Sequence, residues 1–377
     1  MEQSTFEKLG IQTSVLGFGC MRLPTKDGQI DRQAALDMVD YAYKNGITYF
    51  DTAYPYHSQT SEPFMGEALK RYPRESFYLA TKCPVWLCES AEDFERIFNE
   101  QLSRLQTDYF DFYLMHSMTK ERFDNAEKIG IYDLIRKKQA EGKIRYVGFS
   151  FHDKFEVFQE MLEKHTWDFV QIQYNYIDPY LLDADKLYNE LEARDIPCIV
   201  MEPLRGGFLS NLPESFSSIF TGYALDRSVS SWGLRWVASH KNVKVVLSGM
   251  SNMEQLVDNM NTFSQPFALS QEEQSVVGKV VDAIKAVGTV PCTGCAYCMP
   301  CPFGVNIPKV FSIYNNYKMF QFAHKTKDEY FNQLAPENRA DLCRNCKKCM
   351  QVCPQHIKIP ELLKEADTEI HRATAGL

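Results

Sequence analysis

Eight of the twelve cysteines in this 377-residue chain fall into two short runs near the C-terminus. The second run, CRNCKKCMQVCP, spaces Cys343, Cys346, Cys349 and Cys353 as C-x2-C-x2-C-x3-C-P. This spacing lets three thiolates wrap a cubane iron–sulfur cluster from one short loop, while the fourth, followed by proline, reaches a neighbouring cluster. The first run, CTGCAYCMPCP, carries Cys292, Cys295, Cys298 and Cys301 and is one residue shorter before its last cysteine. Crossed ligation then gives Cys292, Cys295, Cys298 and Cys353 to one [4Fe–4S] cluster, and Cys343, Cys346, Cys349 and Cys301 to the other. Two zinc knuckles are the competing chemistry, since zinc also takes four thiolates per site. Two complete runs, each closed by Cys-Pro, are the more specific signature of iron–sulfur clusters. The remaining cysteines, Cys20, Cys83, Cys88 and Cys198, are scattered and read as buried packing residues. Cys83 follows Lys82 at a strand end, where it can line a pocket.

A second set of reactive side chains stands in the first half of the chain. Asp51, Thr52, Tyr54 and Tyr56 follow one apolar run in ITYFDTAYPY, Lys82 ends FYLATK, and His116 ends YFDFYLMH. Ser150 and His152 close IRYVGFSFH, and Gln171, Gln173 and Asn175 lie in FVQIQYN. Singly, each has an ordinary explanation: an ion pair for Lys82 and Asp51, a satisfied core histidine for His116, a loop aromatic for Tyr56. Together at consecutive strand ends they form a constellation.

The elements that must position them follow from the apolar pattern. Between about residues 14 and 265, short β-branched or aromatic runs alternate with amphipathic stretches such as RQAALDMVDYAYKNG. Eight such repeats over ~250 residues fit a closed (β/α)8 barrel, whose active sites lie at the C-terminal ends of the strands. A doubly wound sheet is the rival, but GFGCMR lacks the third glycine and the following helix of a dinucleotide fingerprint. Its Gly17 and Gly19 read instead as close backbone packing. Beyond about residue 266 the rhythm stops, and a small α-helical ferredoxin-like iron–sulfur domain is expected. The boundary is placed at 285/286, giving 1–285 for the barrel and 286–377 for the cluster domain.

In this order, ITYFDTAYPY, LATKCP, FDFYLMHS, IRYVGFS, VQIQYN and SWGLRWV resemble segments of the aldo/keto reductase family. The whole chain, with CTGCAYCMPCPFGVNIP, resembles its bacterial branch that carries a ferredoxin-like C-terminal domain. The resemblance implies hydride transfer between NAD(P)H and a small-molecule carbonyl or alcohol, with Asp51, Tyr56, Lys82 and His116 as the catalytic tetrad. Free tyrosine, with a pKa of about 10, is a weak acid at neutral pH. A neighbouring Lys82 ammonium is expected to lower that value. Asp51 would hold Lys82 charged, and His116 would orient the carbonyl oxygen.

The resemblance also implies cofactor contacts. Ser150 and Gln171 match positions that hold the nicotinamide carboxamide, although Phe151 replaces the usual asparagine after the serine. Met201 takes the place of the aromatic residue that stacks on the ring. Arg205, Gly206 and Gly207 lie after strand 7, a common phosphate-binding place in barrels. Ser251 and Gln255 lie in the segment after strand 8, and Asn259 matches an adenine contact. Gly249–Asn259 contains neither Lys nor Arg. The charge that NADPH-preferring relatives direct at the 2′-phosphate is therefore missing, and NADPH versus NADH stays open. Trp86, Tyr54 and Phe151 are candidates for an aromatic substrate wall.

A net charge of −8 without a large basic block argues against nucleic acid or an anionic membrane as main partner. The first residues lack a signal-peptide pattern, and no apolar run reaches the roughly 18 residues of a membrane helix. A cytoplasmic location is expected. The alternative to a reductase is an electron-transfer or redox-sensing subunit, whose barrel binds nicotinamide while the clusters serve a redox partner protein. The complete tetrad favours the reductase. The oligomeric state is not legible.

Overall fold

The computed structural model describes every residue except Gln265 and Thr293. The chain gathers into two compact units, Met1–Gly206 with Ser230–Gln274, and Gly207–Val229 with Ser275–Leu377.

The first unit is a closed barrel of eight parallel strands. They are β1 (Leu16–Gly19), β2 (Tyr49–Asp51), β3 (Tyr78–Cys83), β4 (Phe110–Met118), β5 (Ile144–Phe151), β6 (Phe169–Gln173), β7 (Cys198–Met201) and β8 (Val243–Gly249). Their order around the barrel is their order in sequence, with β8 pairing back onto β1. Closure removes the sheet edges that a doubly wound fold would leave. The interior is filled by Tyr49, Ala80, Phe112, Leu114, Phe169, Ile199, Val245 and Leu247. An antiparallel hairpin, Gln3–Phe6 with Ile11–Ser14, lays Phe6 against Phe112 at 5.8 Å between ring centres. GxG has the steric meaning expected of it: a Cβ on Gly17 would approach the Leu247 and Val245 side chains to 2.6 and 2.7 Å.

The surrounding helices are amphipathic, and one directly supports the strand that bears Lys82. Helix Ala91–Leu105 starts where the Ser90 hydroxyl accepts the Asp93 N–H and ends at the left-handed Gln106. It buries Phe94, Ile97, Phe98 and Leu105, each worth roughly 1.5–3 kcal/mol. Its buried Gln101 donates to the Lys82 carbonyl at 3.0 Å and to Glu62 at 2.7 Å. Glu62 in turn accepts the Thr81 hydroxyl at 2.6 Å. The β3 backbone is thus pinned on both sides of Lys82.

The second unit carries helices and, among the described residues, no strand. Helices Ile307–Phe320 and Ile359–Thr374 enclose a core of Val310, Phe311, Tyr314, Tyr330, Leu363 and Ile370. Six of the eight clustered cysteines pack at its margin, and Cys295 and Cys346 are exposed. The compact units are not cut where the composition changes. Gly207–Val229, the segment after β7, groups with the C-terminal part, where Phe208 stacks on Phe320 at 4.8 Å. Helix Gln271–Ala286 crosses the other cut. Among the described residues no helix is long and apolar enough to cross a membrane.

Candidate functional site

Asp51 ends β2, Lys82 lies near the end of β3, and His116 lies near the end of β4. Because these strands are consecutive and parallel, the three side chains converge on one mouth. Tyr56 reaches it from the turn after β2. Lys82 is 1% exposed, and its ammonium donates to Asp51 Oδ1 at 2.5 Å, to the Thr52 carbonyl at 2.7 Å and to the Tyr56 hydroxyl at 3.4 Å. Gln171 on β6 donates to the other Asp51 oxygen at 3.3 Å. The Tyr56 and His116 rings meet edge to face at 5.9 Å between centres.

His116 owes its aim to an irregularity of the backbone. The β4–β5 register shifts between Met115 and Met118, and Ser117 has a φ of 54°. Such bulges re-aim side chains next to active sites. The buried His116 Nδ1 has no hydrogen-bond partner, a costly arrangement unless something else meets it.

The electrostatics match the geometry with one correction. Burial works against the Lys82 charge, but Asp51 and Tyr56 outweigh it and hold the ammonium above its ordinary range. Burial raises the Asp51 carboxyl, with Lys82 and Gln171 pulling the other way. Burial pushes His116 well below its ordinary value, with Lys82 adding repulsion, so the imidazole is neutral near pH 7. Burial also raises the Tyr56 phenol, and Lys82 offsets that only in part. Lys82 thus pulls the phenol down as expected, but burial outweighs that pull, with the Asp51 charge adding to the rise.

The proposed cofactor positions divide into open and engaged groups. The buried Ser150 accepts the Ser117 N–H at 2.7 Å and keeps its own hydroxyl hydrogen. Gln171 keeps its amide oxygen beside the tetrad. Met201 ends β7 half-buried. Arg205 is committed to an ion pair with the buried Asp178, which also accepts from Gln173 and Asn175. Gly206 and Gly207 turn the chain with φ of 64° and 97°, and Gly207 opens the second unit. Gln255 accepts the Ser251 N–H at 2.8 Å, and Asn252 caps the helix Met253–Thr262. Asn259 is buried and donates to Ser248 at 2.9 Å.

Sequence reasoning passed over Arg22. Its stem lies 3.1 Å from where a Gly249 Cβ would stand, so it borders the segment that has no cation of its own. No local signal marks it, because β1 and β8 become neighbours only when the barrel closes. Of the aromatic wall, Trp86 stands beside His116 at 5.1 Å. Tyr54 instead donates to Glu100 at 3.0 Å, and Phe151 is buried against Phe158. Cys83 is fully buried and does not line the mouth.

In the second unit the cysteines line two cavities, with Cys298 bordering both. One cavity, of about 210 Å³, is lined by Cys298, Cys301, Cys343, Cys346 and Cys349. A second is lined by Cys292, Cys295, Cys298 and Cys353. Among the described residues no three His, Cys, Asp or Glu side chains gather as tightly as a single metal ion demands. Left-handed residues Gly294, Ala296, Asn345 and Lys347 curl both loops around these cavities.

Residues 15–281 match the profile described as Aldo/keto reductase family, and residues 291–358 match one described as 4Fe-4S dicluster domain. The chain belongs to the aldo/keto reductase family and carries a C-terminal iron–sulfur domain; it is an NAD(P)-dependent oxidoreductase of that type. It is 28% identical to L-galactose dehydrogenase of Arabidopsis thaliana over 73% of this chain and 93% of the relative. It is 24% identical to NADH-specific methylglyoxal reductase of Escherichia coli K12 over 74% and 96%. Among solved structures, the holo form of an aldo-keto reductase from Bacillus halodurans aligns with a TM-score of 0.64 at 26% identity. That alignment covers 74% of this chain and 96% of the other.

Proposed function

We propose that the barrel, residues 1–285, reduces a small carbonyl compound to an alcohol or runs the reverse reaction, with Tyr56, Lys82, Asp51 and His116 as its catalytic tetrad. The observation that carries this reading is the buried Lys82, held by Asp51 and placed 3.4 Å from the Tyr56 hydroxyl, opposite an unpartnered His116. A bound nicotinamide supplies or accepts the hydride. Ser150 and Gln171 would hold its carboxamide, since each keeps a hydrogen-bonding group free at the mouth. The neutral His116 donates a hydrogen bond to the substrate oxygen and orients it. Tyr56 remains protonated at neutral pH because its pKa is raised, so it can give its proton to the developing alkoxide. Lys82 then stabilises the phenolate left behind, and Asp51 keeps Lys82 in place.

The names of the two relatives, a dehydrogenase and a reductase, support a carbonyl/alcohol pair. Methylglyoxal is therefore a sensible first probe. Tyr56→Phe should lower kcat by about 10²–10⁴-fold while nicotinamide binding, read by fluorescence titration, stays within about twofold. The wild-type reduction rate should stay level through neutral pH and fall only above the ordinary tyrosine range of about 10, as the proton donor is lost. A Tyr56→Phe enzyme of undiminished kcat would sink the assignment.

We further infer that residues 286–377 hold two [4Fe–4S] clusters by crossed ligation. The two cavities support this: Cys353 lines one with Cys292, Cys295 and Cys298, and Cys301 lines the other with Cys343, Cys346 and Cys349, Cys298 bordering both.

A further inference from the structure

The 210 Å³ cysteine cavity is bordered by exposed apolar and basic side chains together. Tyr297, Phe303 and Val352 border it and are 68%, 42% and 50% exposed, high values for large apolar side chains. Arg344, Lys347 and Lys348 border the same cavity and are exposed. None of the three forms an ion pair among the described residues. Cys346, an exposed thiol, sits in the middle of this basic loop. The acidic neighbour in sequence, Asp341, does not line the cavity. This positive face stands on a chain of net charge −8.

An apolar centre flanked by charge is the anatomy of a protein interface. We propose that this face docks an acidic one-electron carrier protein, of the flavodoxin or acidic ferredoxin kind, beside the cluster held by Cys301, Cys343, Cys346 and Cys349. The proposal rests on the cluster reading above. One electron leaves the reduced carrier and enters the oxidised cluster; the carrier is oxidised by one, the cluster is reduced by one, and no proton need move. A carrier is favoured over a membrane or nucleic acid because the basic residues frame an exposed cluster ligand, where electron exchange requires close approach. Complementary charge chiefly raises the association rate and selects the partner, and salt weakens it.

The test uses the full-length holoprotein, purified without oxygen, with its iron and sulfide measured first. Affinity for an acidic flavodoxin is then read by calorimetry, alongside the second-order rate of cluster reduction by the reduced flavodoxin. Replacing Arg344→Glu, Lys347→Glu and Lys348→Glu together should weaken binding and slow reduction by about 10-fold or more at low salt. The wild-type advantage should shrink as salt rises, and carbonyl reduction should not change. The milder pair Lys347→Gln with Lys348→Gln serves if the triple variant loses iron. Unchanged affinity in an iron-loaded variant would overturn the docking surface. So would tighter wild-type binding to a basic cytochrome, or to anionic lipid vesicles, than to flavodoxin. Wild-type protein without iron would instead overturn the cluster reading, a result separate from the affinity.

Discussion

Lys82 keeps a positive charge where charge is expensive, and the surroundings show how. A buried ammonium tends to lose its proton unless a partner holds it. Asp51 at 2.5 Å and the Thr52 carbonyl at 2.7 Å hold this one. In the proposed mechanism that charge is available at the moment Tyr56 becomes a phenolate. The same reasoning about placed charge bears on the cofactor. Gly249–Asn259 carries no cation, yet Arg22 lies against Gly249 and makes no ion pair among the described residues. If a 2′-phosphate is read there, Arg22 is the residue to read it. Arg22→Ala should then raise KM for NADPH by about 10-fold, the scale of one charge-assisted contact, and change KM for NADH less than twofold. Equal effects on both cofactors, in steady-state kinetics with methylglyoxal, would remove Arg22 from 2′-phosphate recognition.

At the scale of elements, the sequence carries more of the scaffold than of its exceptions. The eight apolar runs match the eight barrel strands because a parallel strand buried on both faces must be apolar throughout. The convergence of Asp51, Tyr56, Lys82 and His116 was legible because a lone polar residue closing an apolar run stands out at a barrel strand end. The Ser117 bulge and the Arg22–Gly249 approach were not legible. Both depend on pairing between strands rather than on any one segment. Tyr54 was misread as a wall residue because sequence alone does not say which way a turn residue faces. The cysteine runs gave residue types, spacing and an expected sharing between loops. Cys353→Ser tests that sharing. Crossed ligation predicts that the variant loses the cluster of Cys292, Cys295 and Cys298, although the mutation lies in the other run. Iron should fall to about four per chain from about eight. The Cys343-run cluster should keep its own electron paramagnetic signal after reduction. Loss of that signal, with the other retained, would mean each run closes its own site.

For the whole molecule, the two chemistries differ in their unit of exchange. Nicotinamide passes two electrons together as hydride, whereas a cubane cluster passes one at a time. Flavin commonly bridges that difference, and no flavin motif was recognised in the sequence. On the proposed reading the barrel alone supplies what a carbonyl needs: a proton donor in Tyr56, an orienting group in His116 and a fixed charge in Lys82. The two proposals together describe a reductase complete in itself, with clusters that answer to a one-electron partner through the Arg344–Lys348 face. Anaerobic holoprotein mixed with NADH or NADPH alone should therefore keep its oxidised cluster absorption. Added methylglyoxal should oxidise one nicotinamide per carbonyl reduced, again without cluster bleaching. Reduced flavodoxin, in contrast, should bleach the clusters with no nicotinamide present. If nicotinamide alone bleached them, hydride would be reaching the clusters through a carrier bound to this chain. The self-contained reductase would then have to be abandoned for an enzyme that splits the electron pair.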